Sequence, residues 1–412
     1  MEKVFKWLQN SFVQKTNEIF SIPALAAVSG GMQKTVPFIL SGSVVFFYNV
    51  FRSYIPSLPD ISPIASYSFG LIGLLVSYFI AQQLLEKLDL SAYAQNIGLL
   101  SMVTLMMISL EPYEGELALN NFFKVSGPNG ILLGMLVGLF VGGVFYVYKK
   151  LRFLEDSVNV PEFVISWLDT IIPTLIVLLI AMIVVHVFKV DLFQIIHSLF
   201  MPFFSFGQSL PGMIFCVFVP VFFYTLGVST WFWGAFTGPI FMAGIQANID
   251  AAASGIAVTN IVTNEICISS GLVSVGGAGC TMILVILMLF SKSKTLRLKG
   301  KIFIGPAIFN INEPVVFGAP VILNPILMVP MWLCALVGPI VLWFVFKFGW
   351  LNIPSAIMQI GQIPAPFSAW IVTQDLRAFL WFAVLIVLYF IIWYPFFKVF
   401  ERMVLEEESN GS

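Results

Sequence analysis

The sequence is poor in charged residues, which make up only 10% of its 412 residues, against roughly a quarter in an ordinary soluble domain. Hydrophobic residues make up 59% of the chain, and its mean hydropathy is +0.97. This composition excludes a soluble globular enzyme and predicts an all-α polytopic membrane protein. The net charge is -1, and because the basic residues flank apolar segments, we expect no nucleic-acid partner.

Cysteine and histidine are also scarce, with four and two residues. The cysteines lie singly in apolar surroundings without CxxC spacing, which predicts small buried side chains. The sequence contains no metal-ligand set and no nucleophile-base pair with a third orienting group, so it predicts neither a metal nor a cofactor. No short apolar core precedes a small-residue cleavage site, so no removable signal peptide is expected.

The sequence contains many long apolar runs. A spanning helix needs about 20 mostly apolar residues, and this criterion predicts about ten transmembrane helices. The predicted spans are residues 35–54, 66–85, 93–112, 129–149, 164–188, 210–228, 232–250, 271–291, 325–347 and 378–399. Two further segments, 1–33 and 189–209, are apolar but too charged to cross a bilayer, and they predict amphipathic helices at the membrane surface.

The second half of the chain differs from the first, because residues 229–270 and 302–324 are interrupted by Gly, Pro, Asn and Ser. Irregular backbone is tolerated at membrane depth only inside protein, so these segments predict re-entrant hairpins or broken helices. The predicted organisation is therefore in four parts. These are an N-terminal helix plus five-span scaffold (1–188), a linker (189–209), a substrate-binding part (210–405) and a disordered acidic tail (406–412).

The distribution of Lys and Arg predicts that both termini are cytoplasmic. With an even number of spans, the outside receives few cations, namely Arg52, Lys124, Lys189, Lys347 and Arg377. The strongest inside marker is the basic run 291–301.

The segment Phe309–Pro320 places a carboxylate, two carboxamides and two prolines within an apolar region. A carboxylate at membrane depth is costly and marks a functional site by default, and carboxamides both donate and accept hydrogen bonds, as sugar hydroxyls require. Glu313, Asn310 and Asn312 are therefore candidate substrate-binding residues. The alternative for Glu313 is that it merely braces the hairpin through backbone amides.

Other polar residues have weaker support. Glu265 and Asp250 either face the same cavity or lie in a loop exposed to water. Asp169 suggests an acid at the membrane interface or a helix cap. His186 and His197 suggest structural histidines on apolar helical faces.

Two further clusters have alternative interpretations. Gly276, Gly277 and Gly279 lack the Lys and Ser or Thr of a phosphate-binding loop, so they predict close helix packing inside a span. An aromatic cluster precedes Gly238-Pro239 and would either stack on sugar rings or form core and interface. Its members are Tyr224, Trp231, Phe232, Trp233 and Phe236.

The segment Asn310–Pro320 with Asn324-Pro325 closely resembles the signature of enzyme IIC (EIIC), the membrane permease of the bacterial phosphoenolpyruvate-dependent sugar phosphotransferase system, in its lactose/cellobiose/diacetylchitobiose branch. Met32–Gly42 is similar to the start of the family's first span, and Ser274–Thr281 to its glycine-rich helix. The resemblance covers nearly the whole chain.

This resemblance implies a ten-span homodimer in the bacterial plasma membrane, which moves its sugar, a disaccharide by analogy, inward by shifting the binding half against the scaffold. The family's residues at Asn312 and Glu313 contact the sugar, and Glu313 is the candidate catalytic group. A separate IIB protein would phosphorylate the sugar from a phosphocysteine, supplied in turn by a IIA protein. The chain itself would carry no phosphorylated residue.

The chain departs from the family pattern at one important place. It reads Gly227-Val228-Ser229-Thr230 where the family has Gly-Ile-His-Gly, and serine does not take up a proton near neutral pH as imidazole does. Ser229, Thr230 and Trp231 remain candidate sugar contacts. The alternative functions are a transporter of the same fold that works without phosphorylation and a sugar sensor.

Overall fold

The structure is a computed structural model that describes residues 18–19, 21–55, 57–151, 162–228, 230–319, 321–358, 360–361 and 363–410. These residues form helices without any strand, which confirms the predicted all-α class. The helices before residue 190 are α1 (Pro23–Tyr54), α2 (Ser62–Tyr67), α3 (Ile72–Lys87), α4 (Ala94–Leu110), α5 (Gly115–Ser126), α6 (Ile131–Lys150) and α7 (Glu162–Met182).

The later helices are separated by longer irregular segments. They are α8 (Leu192–Gly207), α9 (Leu210–Thr225), α10 (Thr230–Ala253), α11 (Met282–Leu289), α12 (Lys294–Ile308), α13 (Glu313–Gly318), α14 (Pro325–Lys347), α15 (Phe367–Thr373) and α16 (Arg377–Asn410). One π-helical turn, Glu265–Ser269, follows α10.

Within the described ranges, six helical segments are long and apolar enough to cross a membrane. They are Ser62–Lys87, Ser91–Leu110, Pro128–Lys150, Trp167–Val187, Pro325–Lys347 and Arg377–Ser409. The pair α8 and α9 meets the same test with a bend of 95° between its helices. These helices confirm a multi-pass membrane protein with a broken second half.

The bend between α8 and α9 follows from local sequence. Asp191 caps α8 by accepting the backbone N–H of Gln194 at 3.0 Å, and Ser209 caps α9 by accepting that of Gly212 at 3.1 Å. Each cap supplies an acceptor for an otherwise unpaired N–H at a helix start. The second cap starts a new helix directly after the first helix ends, which allows the chain to bend by 95° there. The assignment of residues 189–209 as an amphipathic linker stays a prediction.

The predicted boundary between the first amphipathic segment and the first span is wrong. Helix α1 begins at Pro23 and runs without a break through Lys34 to Tyr54, so residues 23–33 belong to the helix that was predicted to start at residue 35. Residues 1–17, on which most of the amphipathic prediction rests, lie outside the described ranges.

The first half is a tight bundle around α3, which packs against α1, α4 and α6. The crossing of α3 and α6 is close because a Cβ atom at Gly134 would lie 2.4 Å from the carbonyl oxygen of Gly73. Small residues allow such an approach between membrane helices. Most buried apolar side chains fall into clusters on either side of residues 189–209, but the four-part division itself stays a prediction.

Asp169 does not cap a helix, which is one of the two roles that its sequence position suggests. It is buried within α7, where its Oδ2 accepts hydrogen bonds from Lys149 Nζ at 2.7 Å and from the Tyr93 hydroxyl at 3.1 Å. A buried charge is tolerated when it is paired and hydrogen-bonded. The pair therefore joins the end of α6 to α7 inside the protein.

The acidic tail is not disordered as predicted, at least through residue 410. Helix α16 extends to Asn410, and Glu408 accepts hydrogen bonds from Ser293 Oγ at 2.7 Å and from the Thr295 backbone N–H at 2.9 Å. One or two helical turns earlier, buried Glu401 accepts from Ser291 Oγ at 2.7 Å and Lys292 N–H at 2.8 Å. These bonds hold the tail against the turn between α11 and α12; residues 411–412 lie outside the described ranges.

Candidate functional site

The Asn-Glu-Pro segment (residues 309–319) contains a break between two helices. Helix α12 ends at Ile308, Asn310 adopts a left-handed φ of 58°, and α13 begins at Glu313 with Pro314 in its first turn. Proline is well placed there because the first N–H groups of a helix have no intrahelical acceptor. The backbone is thus broken where the sequence predicted a break.

Asn310 connects three parts of the second half. Its Oδ1 accepts the backbone N–H of Gly276 at 2.9 Å, while its Nδ2 donates to the carbonyls of Gly361 at 2.7 Å and Ile363 at 3.4 Å. Both ends of the amide are engaged with backbone. A direct sugar contact by Asn310 would therefore use the second lone pair of its Oδ1 or replace one of these bonds.

Asn312 is buried, with 5% of its surface exposed, and its Nδ2 donates to the Ala278 carbonyl at 2.9 Å. Its side chain packs on the bare backbone of Gly277, where a Cβ atom would lie 2.5 Å from both Cβ and Cγ of Asn312. Gly277 also has a φ of +101°, a conformation that side-chain-bearing residues rarely adopt. The position of Asn312 thus depends on a glycine at 277.

The prediction that residues 271–291 form one apolar span is wrong. Only Met282–Leu289 are helical, and residues 271–281 are irregular, with left-handed φ values at Gly271, Gly276, Gly277, Gly279 and Cys280. The glycine cluster therefore does not serve helix packing as predicted. It forms a folded segment, which we call the glycine segment (271–281), against the Asn-Glu-Pro segment.

Side chains of α16 satisfy the backbone of the glycine segment. The Tyr389 hydroxyl donates to the Leu272 carbonyl at 2.9 Å, and the Trp393 ring N–H donates to the Gly279 carbonyl at 3.2 Å. Both aromatic side chains are fully buried. Irregular backbone in an apolar core needs such partners because an unpaired carbonyl there is costly.

Glu313 differs from its asparagine neighbours because its side chain is exposed. Among the described residues it has no ion-pair or hydrogen-bond partner. It lies within electrostatic range of Tyr224 near the end of α9, and the Tyr224 ring meets the edge of Phe317 with centroids 6.4 Å apart. The bracing alternative therefore finds no support, and the carboxylate is available to a ligand.

The end of α9 brings the chain before Ser229 to the same place. Next to Tyr224, the Thr225 carbonyl accepts the Leu323 N–H at 3.0 Å, and its hydroxyl accepts the Trp332 ring N–H at 2.9 Å. Ser229 itself lies outside the described residues.

Thr230 is the first residue of α10, and the side chain of Trp231 also lies outside what the structure describes. The site assignments for Asn310, Asn312, Glu313, Ser229, Thr230 and Trp231 stay predictions.

A non-helical segment between α14 and α15 completes this region, and side chains from other parts of the chain hold it. Its described residues are 351–358, 360–361 and 363–366, and we call it the 351–366 segment. Asn248 Nδ2 donates to the Pro354 carbonyl at 3.0 Å, and Glu265 Oε1 accepts the Met358 N–H at 3.1 Å. Because the Asn310 amide binds the same segment further on, residues 351–366 are fixed by three side chains from other parts of the chain.

Glu265 is fully buried in the π-helical turn, so the expectation of a water-exposed loop is wrong for this residue. Its Oε2 has no hydrogen-bond partner within the described part of the chain. Asp250, by contrast, is exposed and accepts a hydrogen bond from Gln246 Nε2 at 2.9 Å. The two acids, which the sequence could not separate, therefore occupy opposite environments.

The two histidines lie away from the Asn-Glu-Pro segment. His186 Nδ1 is 3.1 Å from Glu111 Oε2, and the His197 ring stacks on Phe193 with centroids 6.0 Å apart. Of the aromatic cluster, Trp233 stacks on Phe223 at 4.9 Å, which favours packing over sugar stacking for that residue. The described residues contain no group of three or more His, Cys, Asp or Glu arranged to hold a metal ion.

The sequence did not predict the residues that hold the irregular backbone around the Asn-Glu-Pro segment and do not contact the Glu313 carboxylate. Asn248 was not singled out, and neither were Tyr389 and Trp393, which resemble ordinary span residues. The one available signal was the glycine cluster, because four glycines within nine residues are as consistent with close backbone approach as with helix packing.

Comparisons with known proteins agree on one family. The family described as "Phosphotransferase system, EIIC" matches residues 29–335. The chain is 25% identical to the lichenan permease IIC component of Bacillus subtilis, with 100% of this chain and 96% of that protein covered. It is 27% identical to the lactose-specific EIICB component of Lactococcus lactis subsp. lactis, covering 94% of this chain and 71% of that protein.

A solved structure shows the same fold. The IIC component of the N,N'-diacetylchitobiose-specific phosphotransferase system matches with a TM-score of 0.81 and 24% identity, and the match covers 98% of this chain and 99% of that one. At this identity the likeness establishes the fold alone.

Proposed function

Because this chain belongs to the phosphotransferase system EIIC family of membrane sugar permeases, we propose that it translocates an oligosaccharide of the cellobiose type, with the size of a disaccharide, into the cytoplasm. The observation that carries the proposal is the exposed carboxylate of Glu313, which has no partner among the described residues and is flanked by two asparagines fixed to backbone. A fixed acceptor without a protein donor is suited to a sugar hydroxyl.

The sugar class rests on the names of the relatives. They include permeases named for lichenan, oligo-beta-mannoside and lactose. All three names denote saccharides larger than one ring, whereas another relative is named for galactose; the larger share of the names favours an oligosaccharide here. Asn312 would add one contact through its Oδ1, since its Nδ2 already donates to the Ala278 carbonyl.

Phosphorylation of the sugar is proposed to come from a separate IIB protein charged by a IIA protein. Glu313 is then the acid–base candidate that this chain offers, since Ser229 stands in the place of the family histidine. General-base assistance contributes about 10²–10⁴-fold, so the serine predicts slow phosphotransfer.

The same serine supports the second candidate function, a sugar transporter or sensor of this fold that works without phosphorylation. Uptake of free sugar into proteoliposomes without IIA, IIB and phosphoenolpyruvate would favour that candidate. Sugar binding without flux would favour the sensor, and sugar phosphate formed only with IIB would favour the permease proper.

The proposed topology places both termini in the cytoplasm, and the proposed assembly is a homodimer formed by the first half. Lys292, Lys294, Arg297 and Lys301 are exposed near the start of α12, and α12 leads directly to Asn310. A basic cytoplasmic end agrees with the positive-inside rule.

The test is sugar binding by Glu313 variants of the purified protein. We expect Glu313→Ala to weaken binding of its best disaccharide at least tenfold, which is a loss of about 1.4 kcal/mol, because a charge-assisted hydrogen bond is worth about 1.5–3 kcal/mol. The control is Glu116→Gln, which changes an exposed residue of α5 and should bind the sugar as tightly as the wild type does. Unchanged affinity of Glu313→Ala would refute the site.

A further inference from the structure

A cleft of about 370 Å³ lies between the two halves of the molecule, away from Glu313. Its first-half wall includes Lys124 and Asn129, and its second-half wall includes His197 on α8 and Gln246 and Asp250 on α10. We call it the polar cleft. Its volume is within the range of about 300–1,000 Å³ that is typical of small-molecule sites.

The two donors of the polar cleft, Lys124 and His197, contact an aromatic ring. Lys124 Nζ lies 5.0 Å from the centroid of the Phe193 ring, and the His197 ring stacks on the same Phe193. Neither Lys124 nor His197 has a hydrogen bond or ion pair among the described residues. Asp250 accepts a hydrogen bond from Gln246 and forms no ion pair with Lys124 or His197 among the described residues, so both donors are available to an anionic group.

A second cleft, of about 740 Å³, adjoins the first. Only apolar and aromatic side chains line it, among them Phe203, Phe206, Phe215 and Phe236, and we call it the apolar cleft. Phe200 lines both clefts, so they meet at its side chain. Phe203 and Phe206 are 63% and 50% exposed, so the apolar cleft opens on the surface of the protein, as contact with acyl chains would require.

Together the clefts present donors at one end and a larger apolar space at the other. A water-soluble ligand would gain nothing from the apolar cleft, whereas a molecule with a charged head and hydrocarbon chains would bury surface in both. Basic pockets between membrane helices bind lipid head groups by this chemistry. We propose that one membrane phospholipid binds here, with its phosphate at Lys124 and His197 and its acyl chains in the apolar cleft.

The position of this lipid gives it a structural role. Lys124 belongs to α5 of the first half, and His197 belongs to α8, which leads into the second half. A phosphate held by both joins the two halves through a component that the bilayer supplies. Transport that shifts one half against the other would change this site while leaving the Asn-Glu-Pro segment intact.

The test is native mass spectrometry of the full-length protein released from nanodiscs of equal parts phosphatidylglycerol and phosphatidylcholine. We expect the wild type to retain one phospholipid. In the double variant Lys124→Gln/His197→Gln, we expect the lipid-bound fraction to fall about fivefold, because an exposed charge pair changes an affinity by up to about a factor of five. Lys347→Gln, which changes an exposed lysine at the end of α14, should retain lipid as the wild type does.

A second variant tests the apolar end without removing charge. Phe203→Ser should lower retention as well, while Leu380→Ser, an exposed apolar residue on α16, should not. Equal retention by wild type and the double variant, or equal loss in Lys347→Gln, would overturn the proposal. Loss of retention only in variants with a lowered unfolding temperature would also overturn it, because the effect would then come from misfolding.

Discussion

Replacing Gly277 by alanine tests whether the glycine segment sets the position of Asn312. The new Cβ atom would lie 2.5 Å from Cβ and Cγ of Asn312, a distance at which one of the two must shift. The left-handed backbone adds roughly 1–2 kcal/mol of strain. Movement of Asn312 would also break its bond to the Ala278 carbonyl, and a buried group left unpaired costs about 1–3 kcal/mol.

We therefore expect Gly277→Ala to bind sugar about tenfold more weakly than wild type, which corresponds to about 1.4 kcal/mol, as measured by calorimetry on purified protein. Gly349→Ala is the matched control. Its φ is +71°, so it carries similar strain, but nothing lies within 4 Å of the added Cβ. If both variants lost stability equally and bound sugar with the same affinity, the claim that Gly277 positions Asn312 would be refuted.

Three further predictions concern residues that hold the second half together. Asn310→Gly keeps the left-handed backbone but removes the amide, so we expect a lower unfolding temperature and weaker sugar binding; unchanged values would show that its hydrogen bonds are dispensable. Glu401→Gln should lower stability by about 1–3 kcal/mol, whereas exposed Glu407→Gln should not, as thermal unfolding in detergent will show. Hydrogen bonds from the Arg377 side chain hold the pKa of Asp375 below its ordinary value of 3.8. Ionised Asp375 therefore stabilises the fold fully at pH values above 3.8, and this stabilisation is lost as the pH falls through the pKa of the folded state. The unfolding temperature of Asp375→Asn should therefore be lower than that of wild type at pH 7, and the difference should shrink below pH about 4.

Hydropathy and the Asn-Glu-Pro segment were enough to predict the fold class and the family. Both signals are local, because a spanning helix needs a long apolar run and the polar segment is conspicuous within one. The prediction failed at 271–291 because an apolar run is equally suited to contact with lipid and to burial in protein. Only the partners, Tyr389 and Trp393, make the irregular backbone of that run possible.

Individual polar residues were harder to predict than segments. Glu265 and Asp169 are both buried, and their partners are Met358, 93 residues away, and Lys149, 20 residues away. Nothing in the neighbouring sequence reports such contacts. The prediction of a disordered tail was wrong for the same reason, because Glu408 accepts a hydrogen bond from Ser293, 115 residues earlier in the chain.

The threefold attachment of residues 351–366 to Asn248, Glu265 and Asn310 has a consequence for how the protein opens. None of these bonds lies within a single helix, so the glycine segment and residues 351–366 cannot unfold separately without exposing buried polar groups. The free energy of a local opening event rises with the number of buried contacts and hydrogen bonds that it breaks. Because Asn310 joins Gly276 to Gly361 and Ile363, amide hydrogen exchange should report residues 271–281, 310–312, 360–361 and 363–366 as one cooperative unit. Asn310→Gly should lower the protection of all of them at once.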